Sequence, residues 1–241
     1  MTQIISAFTD KNIFMASDTR LNYHIEENRS DGRYQKILWV ADCIRKTFYL
    51  EKPKIGLQFL GIGYLPDDND KYPLSHFIGE INKIDFIENI NINFELMFDF
   101  LKKISEKNNT GQYIKGLMCG FYKSEKYLCQ FNTYNDTFDI KLCKNGVFCD
   151  SENNIKKLED DEELIIEQII DSINKGNEEK SHSIGQEIEI LKLNKSDGSY
   201  LKEGESIFNG SLSDLIKVFK SDPSKIKVEL LVPPKVVKMN L

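Results

Sequence analysis

The second residue of the chain carries two groups that could perform hydrolysis together. Thr2 follows Met1, and removal of Met1 would leave a free α-amine beside the threonine hydroxyl. A threonine hydroxyl is a weak nucleophile and needs a base. An α-amine with a pKa of about 7.7–8.0 can accept a proton near neutral pH. Thr2 is therefore a candidate nucleophile that supplies its own base, on condition that Met1 is removed.

An aspartate and a lysine follow on strands that could reach Thr2. The stretches TQIISAF and IFMAS predict two strands joined by the turn TDKN, so Asp18 should return to the neighbourhood of residue 2. Lys36 begins the next predicted strand, KILWVAD. A buried ammonium beside the hydroxyl would favour its deprotonation, and Asp18 would hold that lysine charged.

A glycine-containing strand end supplies the remaining element of amide hydrolysis. The run LQFLGIG predicts a buried strand that ends in glycines. At such an end a backbone N–H can approach a substrate carbonyl closely and stabilise the oxyanion.

Composition limits the classes of protein that this chain can represent. Its 241 residues fit one large domain, and the net charge of −6, with lysines interleaved among acids, argues against a general nucleic-acid binder. It has no apolar run of about 18 residues and no signal-peptide pattern, which predicts a cytoplasmic protein without a membrane span. Five cysteines without a CxxC motif and three scattered histidines predict neither a metal site nor a cofactor.

The order of predicted elements indicates the fold class. Strands come first, then two helices, further strands, a helix and a strand, with residues 22–35 predicted as a surface loop. The stronger helix, NFELMFDFLKKISEK, places Phe94, Met97, Phe98, Leu101 and Ile104 on one face. Blocks of strands and helices favour antiparallel sheets covered by helices, an α+β fold arranged as a four-layer αββα sandwich.

The segments TQIISAFTDKNIFMASDTR, KI and LQFLGIG together resemble the N-terminal half of the proteasome β-subunit family, which includes HslV and the ancestral β-like bacterial peptidases. The resemblance implies an N-terminal-nucleophile (Ntn) hydrolase. It assigns Thr2 as nucleophile, Asp18 as partner of the catalytic lysine, Lys36 as that lysine, and Gly61 as oxyanion donor.

The resemblance also implies residues that support the site. Arg20 matches the neighbour of the aspartate, Leu21 and Phe59 fall where the family lines its specificity pocket, and Ser183 matches a supporting serine. The sequence departs from the family around Ser183, since Lys180 stands where an acid is usual. The similarity covers roughly residues 2–193, which predicts a domain over 1–193 and a C-terminal extension over 194–241 packed on it.

Two functions follow from this pattern. The first is a threonine peptidase that forms an acyl-enzyme on Thr2, and the alternative is a catalytically inactive ring or scaffold subunit. An amidase for small molecules on the same scaffold stays open. By resemblance we expect a peptide or protein substrate and a ring of identical subunits, with an ATPase partner by analogy only.

Overall fold

The computed structural model describes residues 3–29, 32–60, 64–67, 69–106, 114–149, 155, 157–159, 161–179, 187–205, 207–221 and 230–232. The strands are β1 Ile4–Phe8, β2 Ile13–Asp18, β3 Arg20–Arg29, β4 Gly32–Asp42, β5 Thr47–Leu50, β6 Ile55–Leu60, β7 Tyr64–Asp67, β8 Asp70–Pro73, β9 Lys115–Tyr122, β10 Glu125–Asn132, β11 Thr137–Cys143, β12 Gly146–Cys149, β13 Ile188–Leu193, β14 Gly198–Lys202 and β15 Leu230–Val232. The helices are α1 Ile78–Ile81, preceded by a 3₁₀ turn at Leu74–Phe77, α2 Ile90–Glu106, α3 Glu162–Glu179 and α4 Leu212–Ser221.

Two five-stranded antiparallel sheets form the body of the described chain. The first sheet has the order β12-β1-β2-β13-β14, and the second has the order β11-β10-β9-β6-β5. The predicted N-terminal hairpin is confirmed, because β1 pairs with β2 from Ile4↔Ser17 to Phe8↔Ile13. The predicted combination of antiparallel sheets and helices is also confirmed.

Each sheet buries one face against a helix and the other against the second sheet. Alternate residues of β1, β2 and β13, such as Ile5 and Phe14, pack on Ile165, Ile169 and Ile173 of α3. The opposite set packs against β9 and β10 of the second sheet; it includes Ile4, Phe8, Ile13, Met15, Leu191 and Leu193. Because successive strand residues point to opposite faces, one apolar strand can serve both interfaces.

The second sheet is covered by α2 in the same way. Its buried face carries Phe94, Met97, Phe98, Leu101 and Ile104, as the helical spacing predicts, and these pack on β5, β6, β9 and β10. Asn89 accepts the N–H of Asn91 at 3.1 Å and so caps the start of α2.

The prediction of a surface loop over residues 22–35 is wrong. β3 and β4 pair along their lengths from Arg20↔Asp42 to Arg29↔Gly32, and β15 adds to the other edge of β4. Residues 22–35 are polar and lack the apolar alternation that identifies a strand, so the sequence predicts only the apolar end of β4, KILWVAD. The short hairpin β7–β8 pairs from Tyr64↔Pro73 to Asp67↔Asp70.

Part of the C-terminal extension belongs to the same body as the rest of the chain. β14 pairs with β13 at the edge of the first sheet. α4 starts after Ser211, whose hydroxyl accepts the N–H of Asp214 at 3.1 Å, and its Leu215 is buried against Leu21 of β3. In the described part of the chain, no helix has both the length and the apolar character needed to cross a membrane.

Candidate active site

Asp18 lies fully buried at the end of β2 and gathers three hydrogen-bond donors. Its Oδ1 accepts the backbone N–H of Gln3 at 2.9 Å, and its Oδ2 accepts the N–H of Arg20 at 3.0 Å. The Nζ of Lys46 donates to the same Oδ2 at 3.0 Å. The carboxylate therefore joins the first strand to a buried ammonium.

Lys46 is the lysine that contacts Asp18, and the assignment of this role to Lys36 is wrong. Only 1% of the Lys46 side chain is exposed. The backbone of Lys36 instead lies opposite Ile25, five residues beyond Arg20 along β3. At about 3.3 Å per strand residue this is roughly 16 Å from the site, farther than a lysine side chain reaches.

The error has a structural cause in the β3–β4 hairpin. The assignment to Lys36 assumes a short connection between the aspartate and the lysine. In the structure, Asp18 and its partner Lys46 are 28 positions apart. β3 leads away from Asp18 and β4 leads back, so Arg20 pairs with Asp42 at the base of the hairpin. The lysine that follows this base, Lys46, is the one that contacts Asp18.

A buried polar chain between the two sheets continues from the ion pair. The hydroxyls of Ser17 and Thr47 are 2.8 Å apart, and the side-chain amide of Gln58 donates to Thr47 Oγ1 at 3.1 Å. Ser6 donates to Gln58 Oε1 at 3.0 Å. These bonds satisfy groups that would otherwise be buried without partners, so they fix β5 and β6 relative to β1 and β2.

The three residues assigned to substrate binding lie in different surroundings. Arg20 is half-buried and its N–H holds Asp18. Leu21 is buried in a small cluster with Ile44, Tyr64 and Leu215. The side chain of Phe59 points away from the site into the core beneath α2, with an edge contact to Phe48 at 5.8 Å. We therefore do not assign Phe59 to a pocket.

Three predicted residues, Thr2, Gly61 and Ser183, lie outside the described residues. The residues beside two of them are described. Gln3, whose N–H belongs to the peptide bond with Thr2, binds Asp18. β6 ends at Leu60, immediately before Gly61.

Sequence reasoning did not identify a second, partly buried ion pair next to the first. The Nε of Arg45 donates to Oε1 of Glu189 at 2.9 Å, and Glu189 is fully buried on β13. Burial raises the pKa of the Glu189 carboxyl, and the Arg45 guanidinium opposes this shift. An acid within the apolar alternation of QEIEILKL was the one feature of the sequence that pointed to it.

A cleft of about 490 Å³ lies elsewhere, beside the β1–β2 turn. Its lining includes Asp10, Asn12 and Glu162, and Glu162 is already paired with Lys192 at 2.6 Å. This turn is at the opposite end of the β1–β2 hairpin from Asp18. Among the described residues, no group of three or more His, Cys, Asp or Glu side chains is placed to hold a metal ion.

The two antiparallel sheets and their helices form a fold that a solved structure shares. Among solved structures, the chain is similar to Anbu (ancestral beta-subunit) from Yersinia bercovieri, with a TM-score of 0.54 and 9% identity over 94% of this chain and 98% of that chain. At this identity the likeness shows the fold alone. Neither a protein-family model nor a curated protein matches the sequence. The likeness covers 94% of this chain, which is more than residues 1–193 alone could supply. It therefore extends into residues 194–241.

Proposed function

We propose that the chain is an N-terminal threonine hydrolase, a proteasome-like peptidase that cleaves amide bonds through an acyl-enzyme on Thr2. The observation that carries this proposal is the buried Asp18–Lys46 pair, bonded to the N–H of Gln3, the residue after Thr2. A buried ion pair is poor at stabilising a fold, because desolvation offsets the attraction between the charges. A catalytic role accounts for a lysine that is buried against an aspartate at this place.

The proposed reaction begins after Met1 has been removed. The Thr2 hydroxyl attacks the substrate carbonyl carbon while its proton passes to the α-amine of the same residue. The Lys46 ammonium stabilises the developing negative charge and, as a nearby cation, favours the neutral amine. The C–N bond then breaks, the leaving amine takes the proton, and water hydrolyses the resulting ester.

The remaining roles rest on sequence position. We assign Gly61, which directly follows β6, as the donor of the oxyanion N–H, and Ser183 as a supporting hydroxyl. Arg20 and Leu21 border the site from the start of β3 and are proposed to contact the substrate. The apolar surroundings of Leu21 favour an apolar substrate side chain.

The arrangement of the helices and sheets in layers is part of the same proposal. One core cluster lies between α3 and the first sheet, one between the sheets, and one between the second sheet and α2. This order supports the four-layer αββα sandwich of Ntn hydrolases. The boundary between a domain over 1–193 and an extension over 194–241 stays a prediction, as does the cytoplasmic location.

We also propose that the protein assembles into a ring of identical subunits, as the resemblance of its N-terminal segments to the proteasome β-subunit family implies. Light scattering coupled to size-exclusion chromatography should give a mass several times the 27.9 kDa of one chain. A monomer at micromolar concentration would contradict the assembly. An ATPase partner is proposed by analogy alone.

The deciding experiment is labelling of the purified protein with a threonine-directed electrophile, followed by mass mapping of the modified residue. We expect intact mass to show loss of Met1, with one label per active chain on Thr2. Thr2→Ala should abolish both labelling and peptide hydrolysis. Thr2→Ser, which retains a hydroxyl and an α-amine on one residue, should keep both.

Two outcomes would contradict the peptidase. One is a native chain that retains Met1, which leaves no free Thr2 amine and favours the inactive ring or scaffold subunit. The other is hydrolysis that is unchanged in Thr2→Ala. Labelling of Thr2 together with turnover of small amides but not of peptides would indicate the amidase.

A further inference from the structure

Three consecutive residues before and at the start of β5 each bond to the first sheet. Arg45 binds Glu189 of β13, Lys46 binds Asp18 of β2, and the Thr47 hydroxyl contacts Ser17 of β2. Glu189 pairs in register with Ser17, and Ile188 pairs with Asp18. The two buried carboxylates therefore lie on neighbouring strands and hold neighbouring cations.

The carboxylate of Glu189 has a special place in this arrangement. It is fully buried, and its Oε1 accepts the Arg45 N–H. Burial raises the pKa of this carboxyl, while Arg45 and the backbone N–H groups of Gly204 and Lys46 oppose the shift. Since desolvation offsets much of what a buried ion pair contributes to stability, the place of Glu189 beside Lys46 calls for another explanation.

The surrounding contacts concentrate on the same short segment. The Arg45 guanidinium stacks over the Tyr200 ring at 4.8 Å, and the Tyr200 hydroxyl donates to the Thr47 carbonyl at 2.9 Å. The Nη2 of Arg45 donates to Glu203 at 2.8 Å, but 58% of the Glu203 side chain is exposed. Of these two carboxylates that bind Arg45, only Glu189 is buried.

We propose that Glu189 is a positioning residue, which by holding Arg45 fixes the adjacent Lys46 ammonium on Asp18. This inference rests on the proposed threonine hydrolase for its catalytic meaning. Displacing a catalytic group by about 1 Å can lower a rate by roughly 100-fold. Loss of the Arg45 anchor should therefore lower turnover without a direct contact between Glu189 and substrate.

The test compares Glu189→Ala, Glu189→Gln and Glu203→Gln in the full-length protein. Glu189→Ala should lower kcat by about 10- to 100-fold with little change in KM. Glu189→Gln keeps an oxygen that can accept the Arg45 N–H and should recover most of the lost kcat. Glu203→Gln alters the exposed partner of the same arginine and should leave kcat within about twofold, since surface ion pairs contribute little.

A second measurement does not depend on activity. The buried, hydrogen-bonded Lys46 ammonium should give a slowly exchanging ¹⁵N–¹H signal, assigned by its loss in Lys46→Arg. We expect this signal to persist in Glu203→Gln and Glu189→Gln and to vanish or shift in Glu189→Ala. If Glu189→Ala does not fold, Glu189→Asp serves in its place, because its shorter side chain draws the carboxylate away from Arg45 while the negative charge is kept. A displaced Lys46 signal in Glu189→Asp supports the positioning role, and an unchanged signal overturns it.

The two measurements separate the proposals. A wild-type protein without hydrolysis but with the expected changes in the Lys46 signal overturns the peptidase and leaves the positioning intact. An unchanged Lys46 signal and unchanged kcat in a folded Glu189→Ala protein overturn the positioning role. A fall in kcat with an unchanged Lys46 signal also counts against it.

Discussion

At the scale of single residues, the site depends on which lysine neutralises Asp18. Lys46→Met removes the ammonium and leaves a buried carboxylate that keeps its backbone N–H donors from Gln3 and Arg20. Breaking a buried ion pair in this way typically costs about 3–5 kcal/mol. We expect urea unfolding to show a loss toward the lower end of this range, since those two donors remain, and electrophile labelling of Thr2 to disappear.

Lys36→Met is the matched control. It removes a lysine from β4, whose backbone at this position pairs with Ile25 and Leu231, so it should leave labelling intact. The reverse pattern, with labelling lost in Lys36→Met and kept in a folded Lys46→Met protein, would restore the assignment made from sequence spacing.

These residues also show how far the sequence alone could lead. The amine and hydroxyl of Thr2, and the return of Asp18 through a short hairpin, follow from local chemistry and turn propensity. The identity of the lysine does not, because it depends on the length of an intervening hairpin. Glu189 was not predicted because its significance comes from the register of β13 with β2, a long-range pairing.

At the scale of elements, the closeness of β6 and β9 depends on a glycine. A Cβ added at Gly116 would lie 1.9 Å from the carbonyl oxygen of Gln58, on the backbone of the neighbouring strand. Gly116→Ala should therefore force the strands apart and lower the free energy of unfolding by about 1–3 kcal/mol, measured in urea. The shift should disturb Gln58, and with it the polar chain to Thr47.

Gly79→Ala provides the comparison on α1. Nothing lies within 4 Å of a Cβ at this position, so the change should be neutral or stabilise the protein by up to about 1 kcal/mol. Equal stabilities of the two variants would show that the β6–β9 contact tolerates a side chain.

The elements differ in how well their sequences predict them. α2 and α3 have apolar faces with helical spacing, and β1, β2 and β13 are apolar strands that fill the core. β12 and β14 are short strands at the edges of the first sheet and lack a strong apolar pattern, so the sequence did not predict them. Of the β3–β4 hairpin, the apolar segment KILWVAD was predicted as a strand, whereas the polar residues 22–35 lack the alternation that would identify one.

At the scale of the whole molecule, three tyrosines with raised pKa values predict alkaline instability. Burial raises the pKa of Tyr200 to about 12, with Arg45 opposing the shift and Glu189 adding to it. Burial also raises the pKa of Tyr49 and Tyr64. Above pH of about 10 the unfolded chain releases tyrosine protons that the folded protein keeps, so stability falls as pH rises.

For Tyr200 this fall should reach up to about 1.4 kcal/mol per pH unit between roughly pH 10 and 12. Tyr200→Phe should show a shallower decline in urea midpoints over this range, although it also loses the bond to Thr47. Tyr134→Phe, at a side chain that is 74% exposed, should keep the full decline. A steep decline that is unchanged in Tyr200→Phe would contradict this account.

The closed base of the β3–β4 hairpin makes the distance between Asp18 and Lys46 independent of the number of residues between them. Residues inserted at or removed from the far end would change the length of the hairpin without moving either side chain of the pair. Loop-closure free energy grows only slowly with length, by about 0.6 kcal/mol for each doubling. The hairpin can therefore differ in length and sequence while the ion pair stays as it is.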